Sequence, residues 1–371
     1  MKVLVCIPCL LTGGTEVQTL SLVEALLTAG HEVVVATYFE YSEPMVQRYR
    51  ASGAKVELLS PDGIRPIGVN ATAKHLWRGL KRIVRTEKPD VAHIQYMAPG
   101  ALPILILRML KVKNILATTH TSGDIYGKNG IRVIRFLTNH FLTVFQCITE
   151  RAEQSYFGSS RLFEGKLSKH FTLYNNIPSH IEILVEPRAP KKSESPIIVG
   201  VISRLEHIKG MDLVVPAFAI AAKANPQLQL LVVGDGSQRQ LLEQQVREEK
   251  ISDKVEFTGR QPQSVLQAYY DQIDILLMPS RSEGFGLTAI EGMARGCVPV
   301  VANVGGLPEV VTPDCGLLHN PENTRDIANK IQEAIQDFYY LSNSAIRRAY
   351  DFSTNKYNNQ IQELYRQLQC L

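Results

Sequence analysis

The sequence has no run of eighteen or more uncharged apolar residues; the nearest, 98–107, is short and interrupted by prolines. No transmembrane helix is therefore expected. Cysteine is sparse: six residues, at 6, 9, 147, 297, 315 and 370, lie scattered without a framework spacing. That excludes a disulfide-stapled scaffold and sets the expectation of a reducing cytoplasm. Cys6-Ile-Pro-Cys9 has redox spacing, yet the first helix starts only after Gly13-Gly14, and a redox pair belongs at a helix start. The G-x-G-x-x-G fingerprint is missing from this first strand-to-helix turn, which counts against a dehydrogenase. No cluster with metal-ligand spacing is visible, so neither a metal nor a cofactor is expected. The opening MKVLVCIPCLL has one Lys and no small-residue cleavage site, and it reads as a buried strand rather than a leader.

What is present fits two globular domains, given 371 residues and ordinary apolar and charged fractions. Val3–Pro8, Glu32–Thr37, Lys55–Leu59, Val91–Gln95, Asn114–Thr119, Phe145–Thr149 and Phe171–Tyr174 read as short apolar strands. Helical patterns at Glu16–Ala29 and Ala71–Thr86 alternate with them. The polar, proline-bearing EPRAPKKSESP of 186–196 reads as a linker. A second alternating set follows. Strands are expected at Ile197–Ile202, Leu228–Val233, Val255–Thr258, Ile273–Pro279 and Val298–Ala302. Helices are expected at Gly210–Ala224, Ser237–Glu249, Pro262–Tyr270, Leu287–Arg295, Glu322–Phe338 and Ser342–Leu368. The expected domains are thus 1–185 and 197–349, each an α/β doubly wound parallel sheet.

The stretch from Ser280 to Glu309 concentrates acids and glycine turns between a strand's carboxyl end and a helix N-terminus. Open α/β sheets bind ligands at such a corner, where free N–H groups favour anions. Glu283 should lie in the loop and Glu291 in the helix, which argues against a paired-carboxylate glycosidase. Each carboxylate can instead accept vicinal hydroxyls, of a hexose at Glu283 and of a ribose at Glu291. Gly284 and Gly286 allow close backbone approach. By itself the Glu-x7-Glu spacing of two common residues is weak evidence, and a bland corner with one surface and one helical Glu is its plainer reading.

Elsewhere, Gly13-Gly14-Thr15-Glu16 joins the first strand to the first helix, and His120 follows the strand-like NILATT, with Asp124 close behind. In the second half Arg204 and Lys209, five apart at a strand end and a helix start, can clamp a diphosphate with two charges and the helix dipole. A solvated charged loop would look the same. Residues 1–190 hold 22 Lys and Arg against 15 Asp and Glu, leaving 18 against 21 for the rest. Lys74, Arg78, Lys81, Arg82, Arg85 and Lys88 form a basic face on a helix that also carries Trp77, Leu80 and Val84. Such a face meets either water or an anionic membrane surface. Nothing points to nucleic acid.

The set Glu283-Gly284-Phe285-Gly286-Leu287 with Glu291, then Gly296, Pro299-Val300-Val301-Ala302 and Gly305-Gly306-Leu307-Pro308-Glu309, resembles the donor-site signature of the retaining nucleotide-sugar glycosyltransferases of family 4, the glycosyl transferases group 1. Gly13-Gly14-x-Glu16, Arg204-x4-Lys209-Gly210, Val232-Val233-Gly234-Asp235-Gly236 and Phe257-Thr258-Gly259-Arg260 match as well. Ser203 stands where the family usually has Gly. The resemblance implies the GT-B fold, two Rossmann-like domains facing across a cleft, with 350–371 crossing back to the first. It also implies a retaining hexosyl transfer to a glycan or lipid-linked acceptor, in cell-surface polysaccharide or glycoconjugate synthesis, at a cytoplasmic or peripheral inner-membrane location. On this reading Gly13, Gly14, Arg204, Lys209, Arg260, Glu283, Gly284, Phe285, Gly286, Leu287 and Glu291 bind the donor. His120, Arg204, Lys209 and Glu283 act in catalysis, with Glu16 and Asp124 on the acceptor side. A GT-B nucleotide-sugar epimerase and a non-catalytic nucleotide-sugar-binding module stay open as alternatives.

Overall fold

The computed structural model describes residues 1–95, 101–188 and 195–370. The chain divides into two compact units, Met1–Asn176 with Thr354–Leu371, and Ile177–Ser353. Among the described residues no helix is long and apolar enough to cross a membrane.

The first unit begins β1 (Lys2–Ile7), α1 (Gly14–Thr28), β2 (Glu32–Thr37), α2 (Glu43–Ala51), β3 (Lys55–Leu58), α3 (Val69–Glu87) and β4 (Val91–Gln95). It continues with α4 (Leu102–Met109), β5 (Asn114–Thr119), α5 (Gly127–Phe141), β6 (Val144–Cys147), α6 (Glu150–Phe157) and β7 (His170–Thr172). The strands form one parallel sheet in the order β3-β2-β1-β4-β5-β6-β7. Strands such as VLVCI and VVVAT are buried at every position, and apolar but for Thr37, because helices cover both faces. One face packs α1 and α2 over Val3, Val5, Val33 and Val35. The other packs α3 to α6 over Leu4, Cys6, Ala92 and Ile94.

The second unit has β8 (Ile197–Ile202), α7 (Met211–Ala224), β9 (Leu228–Val233), α8 (Arg239–Glu248), β10 (Val255–Gly259), α9 (Leu266–Tyr270) and β11 (Ile275–Met278). Then come α10 (Leu287–Ala294), β12 (Val298–Ala302), α11 (Leu307–Val310), β13 (Leu317–His319), α12 (Thr324–Gln336) and α13 (Phe338–Ala349). Its parallel sheet runs β10-β9-β8-β11-β12-β13. In each sheet the strand order reverses once, between β1 and β4 and between β8 and β11, and ligands of such sheets bind beyond the carboxyl ends at that reversal.

Several expected boundaries move for identifiable reasons. The strand expected from Ile273 begins at Ile275, because buried Asp274 closes its start, the carboxylate accepting from the Ile198 N–H at 2.7 Å. The helix expected from Glu322 begins at Thr324, where the Asn323 side chain accepts from Asp326 N at 3.0 Å. The single late helix expected over Ser342–Leu368 is broken by a 3-10 turn at Tyr350–Phe352, followed by α14 (Thr354–Gln369), which belongs to the first unit. Phe352 is buried in the second unit against Phe285, so the break falls where the chain changes unit. The helix expected at Pro262–Tyr270 is a 3-10 turn, Gln263–Val265, followed by the short α9.

The division between units falls at Asn176, earlier than the 186–196 linker read from composition, of which 189–194 lie outside the described residues. The intervening segment is tied to the second unit: Leu184 N donates to Ala294 O at 2.9 Å, and the Arg188 guanidinium donates to the carbonyls of Arg295, Ile273 and Tyr270, each at 2.5 Å.

Candidate functional site

In the second unit the loops leaving β8 and β11 flank the strand reversal. Lys209 ends a single 3-10 turn, His207–Lys209, and Glu283 lies in the loop between β11 and α10. Their side chains meet, Lys209 Nζ to Glu283 Oε2 at 2.6 Å. Val201, Ile202, Ser203, Ser280 and Thr288 line the pocket around this pair. Two backbone features hold it open. Gly210, at φ 68°, passes so close to Pro279 that a Cβ would stand 1.9 Å from its carbonyl oxygen. Gly305, at φ 55°, packs the same way onto Glu283, whose carbonyl would lie 1.8 Å from a Cβ. Both positions accept glycine alone.

Arg204 is exposed and, among the described residues, has no ion-pair partner, so its charge is available to a ligand. Arg260, just beyond β10, is exposed too. Gly284 is half-buried, Gly286 caps α10, and Leu287 opens that helix. Phe285 does not present its ring to the pocket. It is 2 % exposed and packs edge-on against Phe352 with centroids 5.7 Å apart, which leaves only its backbone for a ligand.

Glu291, in α10, is 8 % exposed and accepts a hydrogen bond from the Tyr270 hydroxyl at 2.5 Å. Burial pushes its carboxyl up to about 7, and the Tyr270 hydroxyl opposes that rise. The structure therefore keeps Glu283 and Glu291 in different settings, one paired with a cation and one desolvated.

In the first unit, His120 follows β5 and is buried beside Gln95, the last residue of β4, with Nε2 3.0 Å from Gln95 Oε1. Burial lowers its pKa to about 4, so the ring is neutral at pH 7. With the Gln95 oxygen facing it, Nε2 carries the proton and Nδ1 the lone pair. Beneath it His93 spans Tyr365 Oη at 2.7 Å and Thr118 Oγ1 at 2.6 Å.

Gly13 caps α1 and Gly14 opens it; the Glu16 carboxylate folds back so far that a Cβ on Gly13 would lie 2.6 Å from Glu16 Oε2. Glu16 is buried, and its Oε1 lies 3.5 Å from Cys9 Sγ. Burial, with Glu16 adding to it, pushes the Cys9 thiol up to about 11, and burial pushes Cys6 up to about 12. Neither is a thiolate near neutral pH. Asp124 is exposed in a 3-10 turn, its carboxylate 2.8 Å from Ser122 Oγ.

Three partners escaped the sequence reading: Gln95 against His120, Tyr270 against Glu291, and Arg281 in the loop that carries Glu283. All are through-space neighbours with no characteristic spacing. Only Arg281 left a trace, as a cation inside the loop.

Two family signatures match. The one described as glycosyl transferases group 1 covers residues 184–352, and the one described as glycosyltransferase family 4 covers 12–157. A phosphatidylinositol N-acetylglucosaminyltransferase subunit of Arabidopsis thaliana is 27 % identical over 331 residues, 87 % of this chain and 71 % of that protein. Its Homo sapiens namesake is 25 % identical over 323 residues; the chain spans 66 % of that protein's length, and the match takes in 87 % of this chain. The crystal structure of Anabaena HepE in complex with UDP superposes with a TM-score of 0.80 at 18 % identity, covering 99 % of this chain and 100 % of that one. With both sheets and both signatures in place, the chain belongs to the GT-B glycosyltransferases of group 1 and family 4.

Proposed function

We propose that the chain transfers a hexose from a nucleotide-sugar, with retention and without a metal, to a glycan or lipid-linked acceptor. The observation that carries this reading is the Lys209–Glu283 pair at 2.6 Å, with the exposed Arg204 in the same loop after β8, at the strand reversal of the second unit. Arg204 and Lys209 supply two positive charges for the departing nucleoside diphosphate, stabilisation of the kind that dominates such bond cleavages. When the diphosphate takes Lys209, Glu283 is released to accept sugar hydroxyls. A leaving phosphate oxygen then takes the acceptor proton on the same face, which gives retention without a separate base. Glu291 accepts the ribose hydroxyls. His120, neutral at pH 7, Glu16 and Asp124 carry the first unit's part in sugar and acceptor recognition.

The acceptor side fits an anionic lipid surface. Helices α3, α4 and α5 together contain a single acid, Glu87, and it is paired with Lys2 and Lys55. Their outward residues include Lys74, Arg78, Arg82, Arg85, Lys128 and Arg132, with Met109, Val133 and Phe136 exposed among them. This surface supports a reading in which the chain sits peripherally on the inner face of the cytoplasmic membrane, in the synthesis of a surface polysaccharide or glycoconjugate.

The test is nucleoside diphosphate release from a panel of nucleotide-sugars, with and without acceptors and in excess chelator. Arg204→Ala and Lys209→Ala are each expected to lower turnover by about 10²-fold or more. Unchanged turnover in both would remove the clamp. Activity lost to chelator and restored by one divalent cation would overturn metal independence. Epimerised sugar without diphosphate release would mark an epimerase, and binding without either would mark a non-catalytic module.

A further inference from the structure

Arg281, two residues before Glu283, makes more polar contacts than any group the proposed chemistry uses. Its Nη1 and Nη2 take the two carboxylate oxygens of Asp212, at 2.7 and 2.9 Å. Nη2 also reaches Glu322 at 2.7 Å, and Nη1 donates to the His207 carbonyl at 2.6 Å. The backbone N–H of Arg281 donates to Ile208 O at 2.9 Å. One residue thus joins four segments: its own loop, the turn that ends in Lys209, the first turn of α7, and the approach to α12.

We propose that Arg281 is a positioning residue that fixes Lys209 against Glu283, and with them the proposed donor site; this rests on the donor-site reading above. Lys209 follows Ile208 directly, so the two links from Arg281 to His207 and Ile208 set the turn from which the lysine projects. Glu283 is held from the other side, because Gly306 N donates to its carbonyl at 3.2 Å. The clamp is arranged for a fork. A guanidinium presents several donors in one plane, and a lysine ammonium cannot take both Asp212 oxygens, Glu322 and a carbonyl together. Arg281 hydrogen-bonded to Asp212 holds that carboxyl below its usual range, and Asp212 in turn holds the guanidinium charged. Its charge is spent there, which distinguishes Arg281 from Arg204 as a phosphate ligand. Glu322 sits at φ 61°, a left-handed backbone that is unfavourable for a residue other than glycine. Its carboxylate nonetheless completes the clamp.

Were Arg281 removed, Asp212 and Glu322 would be left as adjacent like charges, and the turn would lose its tie to the loop. Displacements of about 1 Å at a reacting centre are enough to cost on the order of 10²-fold in rate.

The experiment is a double-mutant cycle on nucleoside diphosphate release, with UDP-glucose, UDP-N-acetylglucosamine and GDP-mannose as probes. Arg281→Gln is expected to lower kcat by about 10²-fold with KM little changed, in a chain that still folds although its melting temperature falls with the loss of these ties. In the Lys209→Ala background the same change should cost almost nothing further, because Arg281 acts through Lys209. Losses that multiply, to about 10⁴-fold in the double variant, would overturn the proposal. So would a melting temperature that falls while kcat stays native, since that describes a structural tie alone. If Arg281→Gln does not fold, Arg281→Lys keeps the charge without the fork and should still lose about 10-fold in kcat; native turnover there would equally overturn it. Full turnover in Lys209→Ala alone would instead overturn the donor-site reading itself, a result distinct from either.

Discussion

Glu291 combines burial with a proposed ligand role, and the two have opposite pH consequences. Its carboxyl rises from an ordinary 4.5 to about 7 on folding, because burial penalises the charge. The folded chain therefore binds more protons than the unfolded one between those values, and stability falls as pH rises through that window, by roughly 3 kcal/mol. Glu291→Gln removes the penalty. The variant is expected to melt above the native chain at pH 8, with the difference vanishing toward pH 5. Ribose hydroxyls favour the carboxylate, so the native chain should gain about 10-fold in UDP affinity relative to the variant between pH 5.5 and 7.5. Taking the ratio of the two proteins cancels the titration of the terminal phosphate. Calorimetry across that range checks it, and a constant ratio would remove Glu291 from the nucleotide site. The sequence placed this Glu in a helix beside a glycine turn but gave no sign of Tyr270, twenty-one positions upstream, whose hydroxyl reaches it at 2.5 Å. Side-chain partnerships across a fold have no local spacing, and Gln95 and Arg281 went unread for the same reason.

At the scale of elements, buried parallel strands were legible and amphipathic helices unevenly so. VVVAT and NILATT are buried throughout, and an apolar core such as VVVA is the mark of a strand covered on both faces. Helices α2, α4, α5 and α6 were not read. Of these, α5 does turn Ile134 and Leu137 to the core, but Val133 and Phe136 stand in solvent and blur that stripe in the sequence. Helix α3 was read, because Leu76, Leu80 and Ile83 fall on one side and the basic residues on the other. Lys74, Arg78, Arg82, Arg85 and Lys88 are exposed, while Lys81 is half-buried with its ammonium 5.6 Å from the Trp77 ring centroid. Arg82 pairs with Glu57 at 2.9 Å and is therefore partly committed. Lys74→Glu, Lys81→Glu and Arg85→Glu together are expected to abolish binding to anionic vesicles, at about 1 kcal/mol per basic residue facing the lipid. Donor hydrolysis should persist, since none of the three packs in the core. Binding by the native chain should weaken steeply with salt, as exposed charges are screened beyond about 8 Å at physiological ionic strength. Co-sedimentation at low and high salt decides it, and equal binding by both proteins would leave α3 with structural duties only.

For the whole molecule, the decisive feature is that the last helix of the chain completes the first unit. The resemblance implied this crossing and composition could not, because α14 reads from sequence as a continuation of α13. What commits it is its apolar face: Tyr357, Ile361, Leu364, Tyr365 and Leu368 are buried with Val3, Val5, Val23 and Leu26 in one cluster. Polar links add direction. Tyr365 Oη meets buried His93, Asn114 Nδ2 donates to Leu368 O at 3.2 Å, and Gln360 Nε2 donates to Phe163 O at 3.1 Å. Five large side chains at about 1.5–3 kcal/mol each amount to roughly 10 kcal/mol, the entire stability of an ordinary domain. A chain ending at Ser353 is therefore expected to lose the cooperative fold of the first unit while the second unit stays folded. Hydrogen exchange resolves the two: amides of β1 and β4 should lose protection, and those of β8 and β11 should keep it. The milder change Tyr365→Phe keeps the ring but leaves buried His93 short of a partner, at a cost of about 1–3 kcal/mol. It should lower the melting temperature of the first unit only. Native protection of β1 and β4 in the shortened chain would show that the sheet holds without α14 and that the helix merely rests on it.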